Sequence, residues 1–474
     1  MGKLKFDLGN LDEESRPTLY RSMKYWGKKP HNIWRELINS HTEIGDIVYD
    51  PFAGSALTFF EAIKIGRKPV IADINPLTLF LVDLYSQNYN EKKIINRYFE
   101  IEYLVKNSKI YNKNYTIKCS NCNSEIDIFN YRNEYNRSIE ISYKCPVCKK
   151  TITQKNSSNE YVEKLKFWKP KQDISKYSST CDASIRAFGG NDIKDIWSKR
   201  NLEILSYIFN LIKLSDESVK KPLMFAFLQT LHLTTKMCAL RSQSTNRPLS
   251  TSWGRPAFMF LNKNMEQNPL IQFKRALIEK NGVLKALKSR NEYLPKYKFS
   301  TNINDIDNVD GVVLLKDSKL INNIKAKMII TDPPYGSIIQ YGELSMIWNV
   351  WLENFDEKYV LSLEDEIIIK RNNDYLKYKN DMQKVFYNCS EILSKEGTMI
   401  MTFNSNNIKD WECINNIINN SNFNIEKKYK QKNKRSSEAN VLSSSDLANS
   451  DYYFILKNNK KRLQFLNKEE LIAI

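Results

Sequence analysis

Histidine is scarce in this chain, three in 474 residues. None of the three falls in a ligand or catalytic pattern, which argues against imidazole-based acid–base chemistry. Long apolar runs are missing as well. No uninterrupted stretch approaches the ~18 to 20 residues of a membrane span, and the opening MGKLKFDLGNLDEES carries no apolar signal core. The expectation is a cytoplasmic protein with no membrane association. Eight cysteines in so long a chain do not make a disulfide framework, and in a reducing compartment paired cysteines read as metal ligands. No internal repeat is visible.

Positive charge is what the chain has in excess. Lys+Arg number 72 against 54 Asp+Glu, a formal net charge of +18 and a pI near 9.2. Such a balance suggests a polyanionic partner, nucleic acid by default. A Lys-, Asn- and Ile-rich composition can equally reflect the base bias of a genome, so charge alone leaves both readings open. The excess is spread: residues 101–180 hold 15 Lys/Arg against 8 Asp/Glu, and residues 421–474 hold 11 against 6. Both regions are candidates for phosphate contact.

The length suits a core plus inserts rather than one ordinary domain. Residues 46–52 form an apolar run with β-branched members that stops at Pro51, LTFFEAIKIG reads as a helix closing at Gly66, and GRKPVIADINP (66–76) reads as a second strand. Strand, tight turn, helix and strand in that order predict a parallel sheet with ligands at the carboxyl ends of its strands. Strand signals resume in GVVLLKD (311–317), KMIITDPPY (327–335) and GTMIMTF (397–403), with helical MQKVFYNCSEILSKEG between the last two. Between these halves lie a polar, cysteine-bearing stretch (111–180) and helical patterns at 202–213 and 222–240. The division expected is residues 1–90 and 301–474 as two parts of one α/β core, 91–180 as a cysteine-bearing insert and 181–300 as a helical insert. Residues 431–446 read as a loop.

Two strand ends carry the chemistry. In DPFAGSA, small residues between a strand and a helix let backbone amides approach a ligand closely, and the helix N-terminus adds partial positive charge. Gly54 is the position least able to accept a side chain, and Asp73, at the end of the next strand, sits where an acidic residue accepts hydrogen bonds from a ribose diol. In DPPY, the prolines stiffen the backbone and leave the Pro333 carbonyl and the Asp332 carboxylate to accept hydrogen bonds from an NH2 group. Tyr335 offers a face for stacking a ring. Gripping both amine hydrogens favours the pyramidal geometry in which the nitrogen lone pair can attack. Separately, Cys119-x2-Cys122 and Cys145-x2-Cys148, with 22 residues between the pairs, match a four-cysteine zinc ribbon. Four protein ligands would make the zinc structural. Arg132, Arg137 and the tyrosines of that insert suit nucleic-acid contact, while a zinc clip that simply stabilises the insert fits equally well. Cys181, Cys238, Cys389 and Cys413 have no such spacing and read as buried or free thiols.

Taken together, KKPHNIWRELI, DPFAGSA, ADINP, CSNC with CPVC, STSWGRPAF and TDPPYGSIIQYGELSMIWNVWL resemble the zinc-ribbon-containing adenine-specific DNA methylases, within the wider S-adenosylmethionine-dependent amino-methyltransferases. The resemblance covers most of residues 20–425. It implies a Rossmann-like α/β methyltransferase core interrupted by the zinc-ribbon and helical inserts, S-adenosylmethionine as cofactor, structural zinc, and double-stranded DNA as partner. Carried across, Lys29 and Pro30 would lie near the methionine end of the cofactor. Asp50, Phe52, Gly54 and Ser55 would line its methionine and sulfonium part, Asp73 would take the ribose hydroxyls, and Asp317 and Ser318 would border its adenine. Asp332, Pro333, Pro334 and Tyr335 would hold the target base, with Trp253, Arg255 and Tyr341 as weaker assignments to the base or its strand.

The implied reaction is methylation of the N6 amine of an adenine flipped out of the duplex. Cytosine-N4 methylation uses the same geometry. Guanine-N2 methyltransferases of transfer RNA also pair a DPF-x-G loop with a later DPPYG, but usually carry a separate N-terminal RNA-binding domain, for which the 49 residues before the first signature leave no room. One departure from the family pattern bears on activity: the loop usually ends GSG and here ends in Ala56. With negative φ there the loop survives; with positive φ, cofactor affinity would fall and a catalytically silent zinc-ribbon DNA-binding protein becomes an alternative. No nuclease or motor motif is present, so cleavage in a restriction or defence system would come from a separate chain. A nucleoid-associated location follows from the DNA partner.

Overall fold

The structure, a computed structural model, describes residues 12–458 apart from 24, 135–136, 158–159, 162, 175–189, 241–248, 251–257, 259–260, 280, 335–338, 370–373, 406 and 433–449. Its strands are β1 (Ile47–Asp50), β2 (Lys68–Asp73), β3 (Thr116–Lys118), β4 (Glu125–Glu134), β5 (Arg137–Lys144), β6 (Thr151–Lys155), β7 (Cys238–Ala239), β8 (Leu249–Ser250), β9 (Lys263–Gln267), β10 (Phe299–Ser300), β11 (Gly311–Leu315), β12 (Ala326–Thr331), β13 (Leu393–Phe403), β14 (Phe423–Lys432) and β15 (Ser450–Asn458). The helices are α1 (Thr18–Arg21), α2 (His31–His41), α3 (Leu57–Lys64), α4 (Pro76–Ser86), α5 (Glu91–Lys106), α6 (Lys109–Tyr115), α7 (Lys199–Lys213), α8 (Glu217–Leu231), α9 (Pro269–Ile278), α10 (Val283–Tyr293), α11 (Tyr341–Phe355), α12 (Tyr375–Ile392) and α13 (Ile408–Asn419). No helix among the described residues is long and apolar enough to cross a membrane.

Eight strands form the main sheet in the order β10-β11-β2-β1-β12-β13-β15-β14. The first six run parallel, and β15 enters antiparallel between β13 and β14. Parallel strands covered on both faces need near-continuous apolar sequence, and β11 and β12 are buried at almost every position. Alternate residues serve opposite faces. Val48, Met328 and Ile330 pack against Ile33, Trp34 and Leu37 of α2, whereas Tyr49 and Ile329 join Met382, Val385 and Phe386 of α12 and Ile414 of α13. Helices α4 and α5 are separated at residues 87–90, where the Asn90 side chain caps α5 by accepting from Lys93 N–H at 3.2 Å. This large, mostly parallel sheet with crossover helices is compatible with a methyltransferase-type core.

A second sheet takes the order β6-β5-β4-β9-β7-β8, with β3 paired to β4. Strand β4 pairs with β9 from Asn130↔Gln267 to Glu134↔Lys263, so residues from both sides of position 180 share it. Arg132 is buried and faces Glu140 at 3.3 Å, which removes it from any outward role; Arg137 is exposed. The loop read from 431–446 lies almost wholly outside the described residues, as does Cys181.

The β1-to-α3 turn takes the backbone conformation on which the Ala56 departure depends. Gly54 has φ +51 and Ala56 has φ +61 with ψ 26, both left-handed. An alanine there costs about 1–2 kcal/mol, yet the turn is closed by Ala56 N–H to Ala53 C=O at 2.9 Å and Ala53 N–H to Ala72 C=O at 3.0 Å. The Ala56 methyl is fully buried, so removing it relieves strain and loses packing together. Ala56→Gly is therefore expected to keep stability within about 1 kcal/mol of the parent, and Ala56→Val to lose more than about 2 kcal/mol, both read by urea unfolding. An Ala56→Val variant as stable as the parent would contradict the left-handed turn.

Candidate active site

Strand order reverses at β1, whose neighbours are β2 on one side and β12 on the other. Crevices at such points, beyond the carboxyl ends of the strands, are where α/β sheets bind ligands. A cleft open to solvent lies there, and Lys29, Asp50, Phe52, Gly54, Ser55, Asp73, Asp317, Ser318, Asp332 and Pro334 all line it. Pro30 is buried, and it is the residue from which α2 starts; Pro333, between two lining residues, is buried as well. Tyr335, Trp253 and Arg255 lie outside the described residues. Tyr341 is on the cleft wall.

Asp50 ends β1 and is buried. Its Oδ1 accepts from Phe52 N–H at 3.0 Å and from the Thr331 hydroxyl at 2.7 Å, and its Oδ2 from the Thr58 hydroxyl at 2.5 Å. Thr58 in turn accepts from the Trp34 indole at 2.8 Å. One carboxylate thus ties the end of β1 to α3 and to the last residue of β12. Burial pushes it up to about 7, against the pull of its hydroxyl and amide donors.

Asp73 ends β2. It accepts from Gly54 N–H at 2.6 Å on one oxygen and Asn75 N–H at 2.8 Å on the other. Burial lifts it to about 6, opposed by these backbone donors. A Cβ on Gly54 would come within 3.2 Å of the Tyr25 ring, so the glycine is needed for space as well as for φ. Ser318 donates to the Pro51 carbonyl at 2.5 Å, and the Asp317 side chain accepts from Lys319 N–H at 2.9 Å.

Across the cleft Asp332 follows β12. Its Oδ1 accepts from the Thr402 hydroxyl of β13 at 2.6 Å and lies 3.3 Å from Lys29 Nζ. Burial raises its carboxyl to about 6, with Lys29 as the strongest opposing influence. The Pro334 carbonyl accepts from the Tyr378 hydroxyl of α12 at 2.7 Å, which anchors the segment after Asp332.

Residues 10–82 match the family model described as DNA methylase. That segment holds Lys29, Pro30, the 50–55 turn and Asp73. Among curated proteins the chain is similar to the type II methyltransferase M.MjaII of Methanocaldococcus jannaschii, 25% identical over 350 residues that cover 72% of this chain. The match spans 63% of that relative's length. These similarities support a relationship to the DNA methylases.

Several lining residues carry no local sequence signal. Tyr25 stacks on Tyr341 with ring centroids 6.2 Å apart, and Trp26 meets Trp348 at 5.3 Å. This aromatic wall joins a tyrosine–tryptophan pair just ahead of KKP to the helix after DPPYG, and of its members Tyr341 alone is among the residues expected at the site. Asp365, Glu366 and Ile367 also line the cleft, where the Glu366 carboxylate accepts from Gly342 N–H at 2.7 Å. Among the described lining residues, six carboxylic acids stand against Lys28 and Lys29, and Lys28 spends its ammonium on the carbonyls of Tyr20 and Met23. The floor favours a cation.

The four cysteines of the insert lie with their sulfurs all within 4.8 Å of one another. Cys119 and Cys148 are 3.8 Å apart, Cys122 and Cys145 3.4 Å. A tetrahedral ion with ~2.3 Å bonds needs sulfurs about 3.8 Å apart. Two matching turns build the cluster: Cys119 N–H donates to Ser124 C=O at 2.8 Å and Cys145 N–H to Lys150 C=O at 3.0 Å. Asn123 and Lys149, each following the second cysteine of its pair, are left-handed at φ 60 and 56. The donor set and spacing fit zinc.

The Asp50 linkage gives a direct test of how the two strand ends are held. Thr331→Val removes one donor from a buried carboxylate and is expected to cost about 1–3 kcal/mol of stability. That donor favours the ionised form, so the loss should be larger at pH 8, above the value of about 7 for Asp50, than at pH 6. Urea unfolding at the two pH values reads this; a loss independent of pH would deny the bond its role.

Proposed function

We propose that this protein is an S-adenosylmethionine-dependent DNA methyltransferase that methylates the N6 amine of a flipped-out adenine. The observation carrying this reading is the placement of Asp332, beyond one strand, across a single cleft from the small-residue turn and Asp73, beyond two others. The similarities to DNA methylases support the same class. The residues fit the cofactor: Gly54 permits close backbone approach, Asp73 offers a carboxylate at the cleft for a diol, and the acid-rich floor suits a sulfonium cation.

Bound S-adenosylmethionine would supply an activated methyl group. The chain's own part is to hold the amine. Thr402 and Lys29 both engage Oδ1 of Asp332, so this reading assigns its second oxygen to one amine hydrogen and the Pro333 carbonyl to the other, with Tyr335 stacking on the base. A carboxyl at about 6 is mostly ionised near pH 7 and accepts rather than donates. Duplex DNA is the partner, its base extruded because the amine is otherwise paired and stacked. The four cysteines hold structural zinc, and a nuclease, if the methylation belongs to a restriction or defence system, is a separate chain.

Incubation with isotope-labelled S-adenosylmethionine and DNA, with RNA alongside, followed by nucleoside mass spectrometry, tests the reading. Label is expected on adenine N6 in DNA, and Asp332→Ala should lose it while still binding cofactor by calorimetry. Label on cytosine N4 would transfer the reading to that base; label only in RNA would overturn it, and none anywhere with no cofactor binding would replace it by the catalytically silent DNA-binding protein, the alternative that the positive φ of Ala56 favours. For the metal, elemental analysis is expected to give one zinc per chain, lost in a Cys119→Ser/Cys145→Ser variant. A zinc-free wild type with intact folding would exclude the ribbon.

A further inference from the structure

Lys29 does more than line the cleft. Its Nζ lies 3.3 Å from Asp332 Oδ1 and 3.2 Å from Asp451 Oδ2, and Lys29 and Asp451 are 6% and 7% exposed. One carboxylate would suffice to pair a buried lysine. A second, delivered by β15 from the far end of the chain, leaves the cluster one negative charge in excess in a poorly solvated place, where an unneeded charge is expensive. The Tyr453 hydroxyl, two residues on and so on the same face of β15, is buried with no hydrogen-bond partner among the described residues, and its ionisation is opposed first by burial and then by Asp451 and Asp332.

We propose that Asp451 is a positioning residue for methyl transfer: with Lys29 it clamps Asp332, sets its charge and turns one of its oxygens toward the substrate amine. This rests on the reading of Asp332 given above. The groups facing Asp332 are Lys29 from the segment ahead of α2, Thr402 from β13, and Asp451 with the Tyr453 phenol from β15; Glu13 bears on Tyr453 from outside. Asp451 and Lys29 act in opposite directions. The anion of Asp451 opposes ionisation of Asp332, and the cation of Lys29 favours it.

Single-turnover methyl transfer from S-adenosylmethionine to DNA between pH 5 and 8.5 separates the possibilities. If the wild type transfers no methyl group, the reading of function fails before the clamp is reached. If it does, the acid limb should follow ionisation of Asp332. Asp451→Asn is expected to move its midpoint to lower pH, and Lys29→Met to higher pH by about one unit or more, with Lys29→Arg returning it toward the wild type. Opposite shifts from two neighbours are not produced by loss of packing alone. Midpoints unmoved in both variants, or moved in the same direction, would overturn the clamp. Should Lys29→Met not fold, as judged by circular dichroism, Asp451→Asn decides by itself: a lowered midpoint supports the proposal and an unmoved one overturns it.

Discussion

The buried carboxylate of Asp50 is the junction on which the cleft depends. Three donors from three segments meet on its two oxygens: the Phe52 amide of the turn, the Thr58 hydroxyl of α3 and the Thr331 hydroxyl of β12. The small-residue turn and the strand that leads into Asp332 are therefore held by one side chain. Hydrogen bonds to a charged acceptor contribute about 1.5–3 kcal/mol each, which is what keeps such a group tolerable without water. Asp50 is better understood as the element that fixes the distance between the two halves of the site than as a ligand group alone.

The second constraint is charge. A chain with a net charge of +18 folds so that, among the described charged residues lining the cleft beside β1, six acids stand against two lysines. Burial raises Asp50, Asp73 and Asp332 to between about 6 and 7, against the pull of the donors around them. The basic excess lies elsewhere, in segments such as the exposed lysines of β14. There Lys428 lies over the rings of Trp411, Tyr452 and Phe454 at 5.1, 4.5 and 5.2 Å. The two charge populations are thus separated on the molecule, acids at the cleft and lysines on exposed β14.

Much of the architecture was legible because parallel strands demand apolar runs and tight turns demand small residues. The runs at 46–52, 66–76, 311–317, 327–335 and 397–403 each overlap an observed strand, and LTFFEAIKIG holds α3. Paired cysteines announced their cluster for a similar reason: two residues between ligands is the spacing a knuckle turn can close. What local sequence left open has equally local causes. Alanine at position 56 carries no sign of the left-handed φ it adopts, because the strain of about 1–2 kcal/mol is imposed by the hydrogen bonds of the turn. Arg132, one of the insert residues suited by type to nucleic-acid contact, is sequestered because strand register sets it opposite Glu140.

The sequence by itself determined the class of sheet, the two strand-end motifs and the four-cysteine set, since each is written within a span of a few residues whose backbone geometry follows from residue type. Which groups meet across the cleft was decided only by tertiary structure. Lys29, Asp332, Thr402 and Asp451 are brought together from four distant segments, and Glu366 and Tyr25 reach the wall through a loop and an aromatic stack. The physical reason is the order of the strands. Because β12 and β13 pair beside β1, and β15 inserts next to β13, residues hundreds of positions apart share one edge of the sheet, and no local pattern records that adjacency.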